Sequence, residues 1–130
     1  MKIGRYILTA ALLFALIGVG SASAGGGYEA RAKRPSYDGG SLELVGGGAY
    51  LSETIRAQLR VTVCLRKKIG RQSFDVRCET SSARGRRVKA QVSVPGCVAG
   101  VWRTTVVGEA FNRSGAMVDQ TSAVSRRYRC

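Results

Sequence analysis

The sequence predicts an all-β chain folded as a small antiparallel sandwich or barrel. From Tyr50 onward, apolar and polar residues alternate with period two, and short polar links join the alternating runs. Successive side chains of a strand point to opposite faces, so this alternation marks strands with one buried side. All four cysteines lie in the same region.

Leu59, Val61, Val63 and Leu65 point one way, while Arg60, Thr62 and Arg66 point the other. Phe74 and Val76 alternate with Asp75, Arg77 and Glu79 in a second run, and Val88, Ala90, Val92 and Val94 with Lys89, Gln91 and Ser93 in a third. Pro95-Gly96 ends this third strand, since proline lacks the N–H a ladder needs. Trp102 to Asn112 and Met117 to Cys130 complete five strands, with Arg113-Ser114-Gly115 as a hairpin turn between them. Ser52 to Gln58 reads either as a helical turn or as the start of a strand.

Two segments precede this region. Met1 to Ala24 reads as a secretory signal peptide: Lys2 and Arg5, an apolar run from Ile7 to Val19, and the small-residue pattern Ala22-Ser23-Ala24. The run is too short for a membrane span of about 20 apolar residues. Residues 25–50 hold eight glycines, in runs at 25–27, 39–40 and 46–48. Glycine loses the most backbone entropy on ordering, which predicts a flexible spacer interrupted by one short strand, Ser41 to Val45. The folded domain is then expected over residues 51–130.

An exported chain meets an oxidising space, so Cys64, Cys78, Cys97 and Cys130 are expected as two disulfides. A zinc site is the alternative, but no CxxC knuckle is present. An up-and-down trace favours Cys64 with Cys78 and Cys97 with Cys130. Cys78 shares its phase with Phe74 and Val76 whereas Cys64 shares that of Arg60, so this pairing requires a bulge or a local twist.

The 130 residues include 21 basic, 8 acidic and no histidine, a formal charge of +13. Without histidine, histidine-dependent triads, His-ligated zinc and imidazole proton shuttles are excluded. No S-x-x-K pattern pairs a serine with a lysine base, and the glycine runs lack the strand–helix context of a phosphate loop. Asp75 and Glu79 share a face on a regular strand, but about 13 Å of strand rise separates them, too far for a glycosidase pair. The expectation is a non-catalytic protein without a cofactor.

The charge is clustered. Arg66, Lys67, Lys68 and Arg71 crowd the first hairpin tip, and Arg126, Arg127 and Arg129 crowd the C-terminus. The up-and-down trace brings these seven to one rim, a candidate polyanion site. Arginine outnumbers lysine 16 to 5, which suits bidentate phosphate contacts. Candidate partners are anionic cell-wall polymers, lipid headgroups and extracellular nucleic acid. The same charge also fits a solvated surface that maintains solubility. Trp102 reads as core, Phe111 as either core or surface, and Tyr128, between Arg127 and Arg129, as core or as a stacking surface.

The run Val61-Thr62-Val63-Cys64-Leu65-Arg66-Lys67-Lys68, Cys78, the run from Cys97 to Thr104, Gly108-Glu109-Ala110-Phe111 and the terminal cysteine resemble a group of small secreted proteins of filamentous actinobacteria. The likeness spans roughly residues 59–130. It implies a signal peptide, an immunoglobulin-like β-sandwich of five to six strands and disulfides, and it carries no activity or functional residue with it. Two functions are expected from the whole: a secreted binding module with a cationic face for polyanions, or a protein-binding effector or hydrolase inhibitor acting through the Cys97 loop, Pro95 to Val101.

Overall fold

A computed structural model describes residues 20–23, 27–53 and 58–130. The described residues form nine strands in chain order: β1 (Gly20–Ser23), β2 (Tyr28–Asp38), β3 (Glu43–Ser52), β4 (Gln58–Ile69), β5 (Gln72–Arg84), β6 (Arg87–Pro95), β7 (Val101–Phe111), β8 (Met117–Val124) and β9 (Tyr128–Arg129). Sheet A has the order β1-β2-β3-β6. Sheet B has the order β5-β4-β7-β8, with β9 pairing β7 beyond the end of β8. Every one of these strand pairs is antiparallel. The chain crosses between sheets after β3, β5 and β6, giving the immunoglobulin-like sandwich arrangement.

The core lies between the sheets. Leu59, Val61, Val63 and Leu65 of β4 meet Leu44 and Tyr50 of β3, Val88, Val92 and Val94 of β6, and Trp102 and Val106 of β7. The alternation read from the sequence is therefore the inward face of β4, β6 and β7. β5 departs from this: its residues are exposed through Thr80, because it extends sheet B past the edge of sheet A. Phe74 and Val76 are accordingly surface residues.

The flexible spacer expected over residues 25–50 is not found among the described residues of that range, 27–50. Tyr28–Asp38 and Glu43–Ser52 are strands of sheet A, and β3 is one of its two central strands. A domain boundary at residue 51 would cut β3 in two. The glycines are there for space. A Cβ at Gly48 would stand 2.3 Å from Val106 Cγ2, and one at Gly46 would stand 2.7 Å from Thr104 Oγ1. Side chains at these inward positions would push the sheets apart, so close packing and the burial of Ala30, Ala32, Leu44 and Tyr50 offset the entropy that glycine loses. The strand count rises from five or six to nine because β2 and β3 join the fold, β1 pairs with β2, and Ser125–Arg127 separates β8 from β9.

Of the expected signal peptide, only Gly20–Ser23 falls among the described residues; Met1 to Val19 and Ala24 lie outside them. The ambiguous Ser52 to Gln58 stretch is β3 at its start and β4 at its end, with residues 54–57 also outside. The expected hairpin turn is present: Asn112 Oδ1 accepts from the Ser114 and Ala116 N–H groups, each at 3.0 Å.

Candidate anion-binding cleft

Both disulfides pair as the up-and-down trace favours. Cys64 and Cys78 stand directly opposite on β4 and β5, with Cα atoms 4.0 Å apart. Of the bulge or local twist that this pairing requires, the structure has a bulge, at Val76: Leu65 pairs with Arg77 but Arg66 pairs with Asp75. This extra residue turns Cys78 and Asp75 to the outer face of sheet B and Glu79 to the other. Asp75 and Glu79 therefore do not share a face, and each takes an arginine instead, Arg66 at 3.1 Å and Arg77 at 3.6 Å. Cys97 and Cys130, with Cα atoms 5.4 Å apart, tie the β6–β7 loop to the last residue. Sulfurs committed to S–S bonds are no longer thiolate ligands, so the Cys64, Asp75 and Cys78 cluster is not a thiolate metal site.

The seven cations expected at one rim separate. Lys67 is lost from the surface altogether. It faces inward between Leu65 and Ile69, is 9% exposed, and holds its ammonium 5.6 Å from the Trp102 ring centroid. Trp102 donates its indole N–H to Val98 O at 2.9 Å, so Lys67 and Trp102 together support the Cys97 loop. Arg71 is exposed in the β4–β5 turn, and Arg126 and Arg129 are exposed near the C-terminus. None of these three lines the cleft described next.

Arg66, Lys68 and Arg127 do come together, and Arg103 joins them. Arg66 and Lys68 share the outer face of β4, and Arg103 stands directly opposite Arg66 on β7. With Ser73, Thr105 and Arg127 they line a cleft of about 400 Å³ on the outer face of sheet B. Asp75 neutralises Arg66. Among the described residues, no carboxylate pairs with Lys68, Arg103 or Arg127. With Arg66 balanced by Asp75, Lys68, Arg103 and Arg127 leave the cleft net positive, and an anion held there would meet charge-assisted donors.

Arg103 was legible only as one of several basic residues; the β4–β7 register makes it part of the cleft. Tyr128 lies beneath the Arg34 guanidinium, 5.4 Å from its centroid, while Arg34 Nε donates to Arg127 O at 2.9 Å. Phe111 is half-buried on the outer face under Arg60. Trp102 is core.

No family model matches the chain, and no curated protein matches it. Among solved structures, it is similar to a putative late embryogenesis abundant (LEA) protein solved in solution. That match has 9% identity and a TM-score of 0.53 and covers 99% of this chain and 83% of that one. A structural genomics target, SoR45, matches at 9% identity and a TM-score of 0.40, covering 79% of this chain and 84% of that one. A Bacteroides uniformis beta-glucuronidase 2 matches at 11% identity and a TM-score of 0.32, over 78% of this chain and 13% of that one. The first likeness bears on the fold alone, and the other two are too low to carry an argument.

Proposed function

We propose that the protein is a secreted, non-catalytic binding module that holds an anionic polymer at the cleft of sheet B. The observation that carries this reading is the set of cations without carboxylate partners among the described residues, Lys68, Arg103 and Arg127, gathered beside the Arg66–Asp75 pair. Secretion is supported by two disulfides, which persist in oxidising spaces, and by the leader-like basic start and apolar run, Lys2, Arg5 and Ile7 to Val19. The test is binding of the oxidised protein to a soluble polyanion across a salt series. Affinity should fall steeply as salt rises, and the triple variant Lys68→Gln/Arg103→Gln/Arg127→Gln should bind at least about tenfold more weakly. Binding indifferent to salt, or a triple variant equal to the parent, would sink the reading.

A second reading, a protein-binding effector, has one observation in its favour. Val98 is 53% exposed at the crest of a loop pinned by Cys97–Cys130 and by the Trp102 indole. Potent inhibition of a secreted hydrolase that survives high salt and is lost in Val98→Asp would favour it.

A further inference from the structure

The outer face of sheet A carries a longer groove, of about 820 Å³. Its floor is the outward side of β3, where Gly47 and Ala49 bring almost no side chain. Its walls are basic. Arg31 of β2 and Lys89 of β6 face each other across Ala49, and Lys33 and Gln91 face each other across Gly47. Arg87 extends the β6 wall. Two strand spacings set the walls about 9–10 Å apart, and successive rungs follow at about 7 Å along the strand. Arg31 is paired with Glu29; among the described residues no carboxylate pairs with Lys33, Arg87 or Lys89.

The three glycines of the 46–48 run thus have two roles. Gly46 and Gly48 face the core, where a Cβ would collide. Gly47 faces outward, where a Cβ would meet nothing nearer than 3.9 Å. Packing does not require glycine at 47, but an open floor does.

We infer that this groove binds a linear polyphosphodiester that lacks stacking rings, such as a polyol phosphate chain, laid along β3 between the two basic walls. The walls supply charge on both sides of a narrow, elongated track, which fits a chain and not a compact ion. Among the described residues, no aromatic side chain lines the groove. Single-stranded bases are held by stacking on aromatic side chains, so a groove walled by cations without them favours a polymer recognised by its phosphates. This site is on the opposite sheet from the cleft of the proposed function and does not depend on it.

The test titrates the full-length oxidised chain with poly(glycerol phosphate), with a single-stranded oligothymidylate of equal charge, and with polygalacturonate, at low salt. Poly(glycerol phosphate) should bind most tightly. Lys33→Gln/Lys89→Gln should weaken it by at least about tenfold and flatten its salt dependence. Gly47→Val should weaken it as much while melting no lower than the parent, because its side chain fills the groove and suits a strand. Arg71→Gln/Arg129→Gln, which removes two exposed cations outside both the groove and the sheet B cleft, should leave it within about twofold. Tighter binding of oligothymidylate or polygalacturonate overturns the ligand class. Unchanged binding by both sheet A variants overturns the site; if the sheet B triple variant then abolishes binding, the proposed function survives while this inference fails.

Discussion

The Tyr50 ring occupies the space that a side chain at Gly108 would need: a Cβ there would stand 2.1 Å from Tyr50 Cδ1. This contact joins β3 of one sheet to β7 of the other at the centre of the core. Gly108→Ala should therefore lower stability by about 1–3 kcal/mol or more, the range for overpacked cores. Gly47→Ala, on the same run as Gly46 and Gly48 but facing outward, should be neutral or stabilising. Thermal melts of the two variants check the contrast; equal losses would contradict the opposed facing of these glycines.

The Tyr50 hydroxyl donates to the buried Asp119 carboxylate, which also accepts from Thr121 Oγ1 at 2.7 Å. Burial, and then the hydrogen bond to Asp119, hold the Tyr50 pKa far above the ordinary tyrosine value of about 10. Folding thus favours the protonated phenol, and the linkage has a definite sign. The contribution is fully present below about pH 10 and is lost progressively above it, as the unfolded chain ionises and the folded one does not. Denaturant midpoints measured from about pH 8 to about pH 11, either side of the ordinary tyrosine value, should show the fall. Tyr50→Phe should shallow it and, by leaving Asp119 short of a donor, cost about 1–3 kcal/mol at neutral pH.

Thr104 Oγ1 is buried and has no hydrogen-bond partner among the described residues. Its backbone is well held, with the N–H donating to Ser125 Oγ and the carbonyl accepting from Ser125 N, each at 2.9 Å. Thr104→Val keeps the shape and removes the unpaired hydroxyl, so stability should rise by about 1 kcal/mol or more. A lower melting temperature would count against the isolation of this group.

The two disulfides should differ in what their loss does. Cys64–Cys78 closes a short loop with a sequence separation of 14 and Cys97–Cys130 a longer one of 33. In the chain-entropy model, double alanine replacement costs about 3 and about 4 kcal/mol respectively. Loss of Cys97–Cys130 should also alter tryptophan fluorescence, since Trp102 anchors the same loop through Val98 O. Loss of Cys64–Cys78 on the outer face should leave the emission unchanged.

Adjacent lysines should behave oppositely. Lys67→Gln removes a buried ammonium over Trp102 and should lower stability while leaving polyanion affinity within about twofold. Lys68→Gln should leave stability within about 0.5 kcal/mol and weaken binding at the sheet B cleft. Melting curves and binding isotherms of the two variants separate the roles.

The period-two runs at Leu59–Leu65 and Val88–Val94 made the all-β class readable, because a half-buried strand writes its buried side into every second residue. The cysteine phases went further: the mismatch between Cys64 and Cys78 already required a bulge or a local twist, and the structure has the bulge, at Val76. Lys67 was legible as inward by the same parity, since it continues the odd-numbered series Leu59, Val61, Val63 and Leu65. Grouping it with Arg66 and Lys68 by charge set that signal aside.

Local sequence determined which segments alternate, where proline and glycine end them, and how much charge the surface must carry. The sandwich alone decided that Gly46 and Gly48 are core positions, because a glycine chosen for close approach and one chosen for flexibility are identical in the chain. The meeting of Arg66 with Arg103, and of Arg31 with Lys89 across Ala49, likewise came from strand register. Those pairs are distant in sequence, and their proximity is set by which strands pair and which residues stand opposite, a property of the assembled sheets.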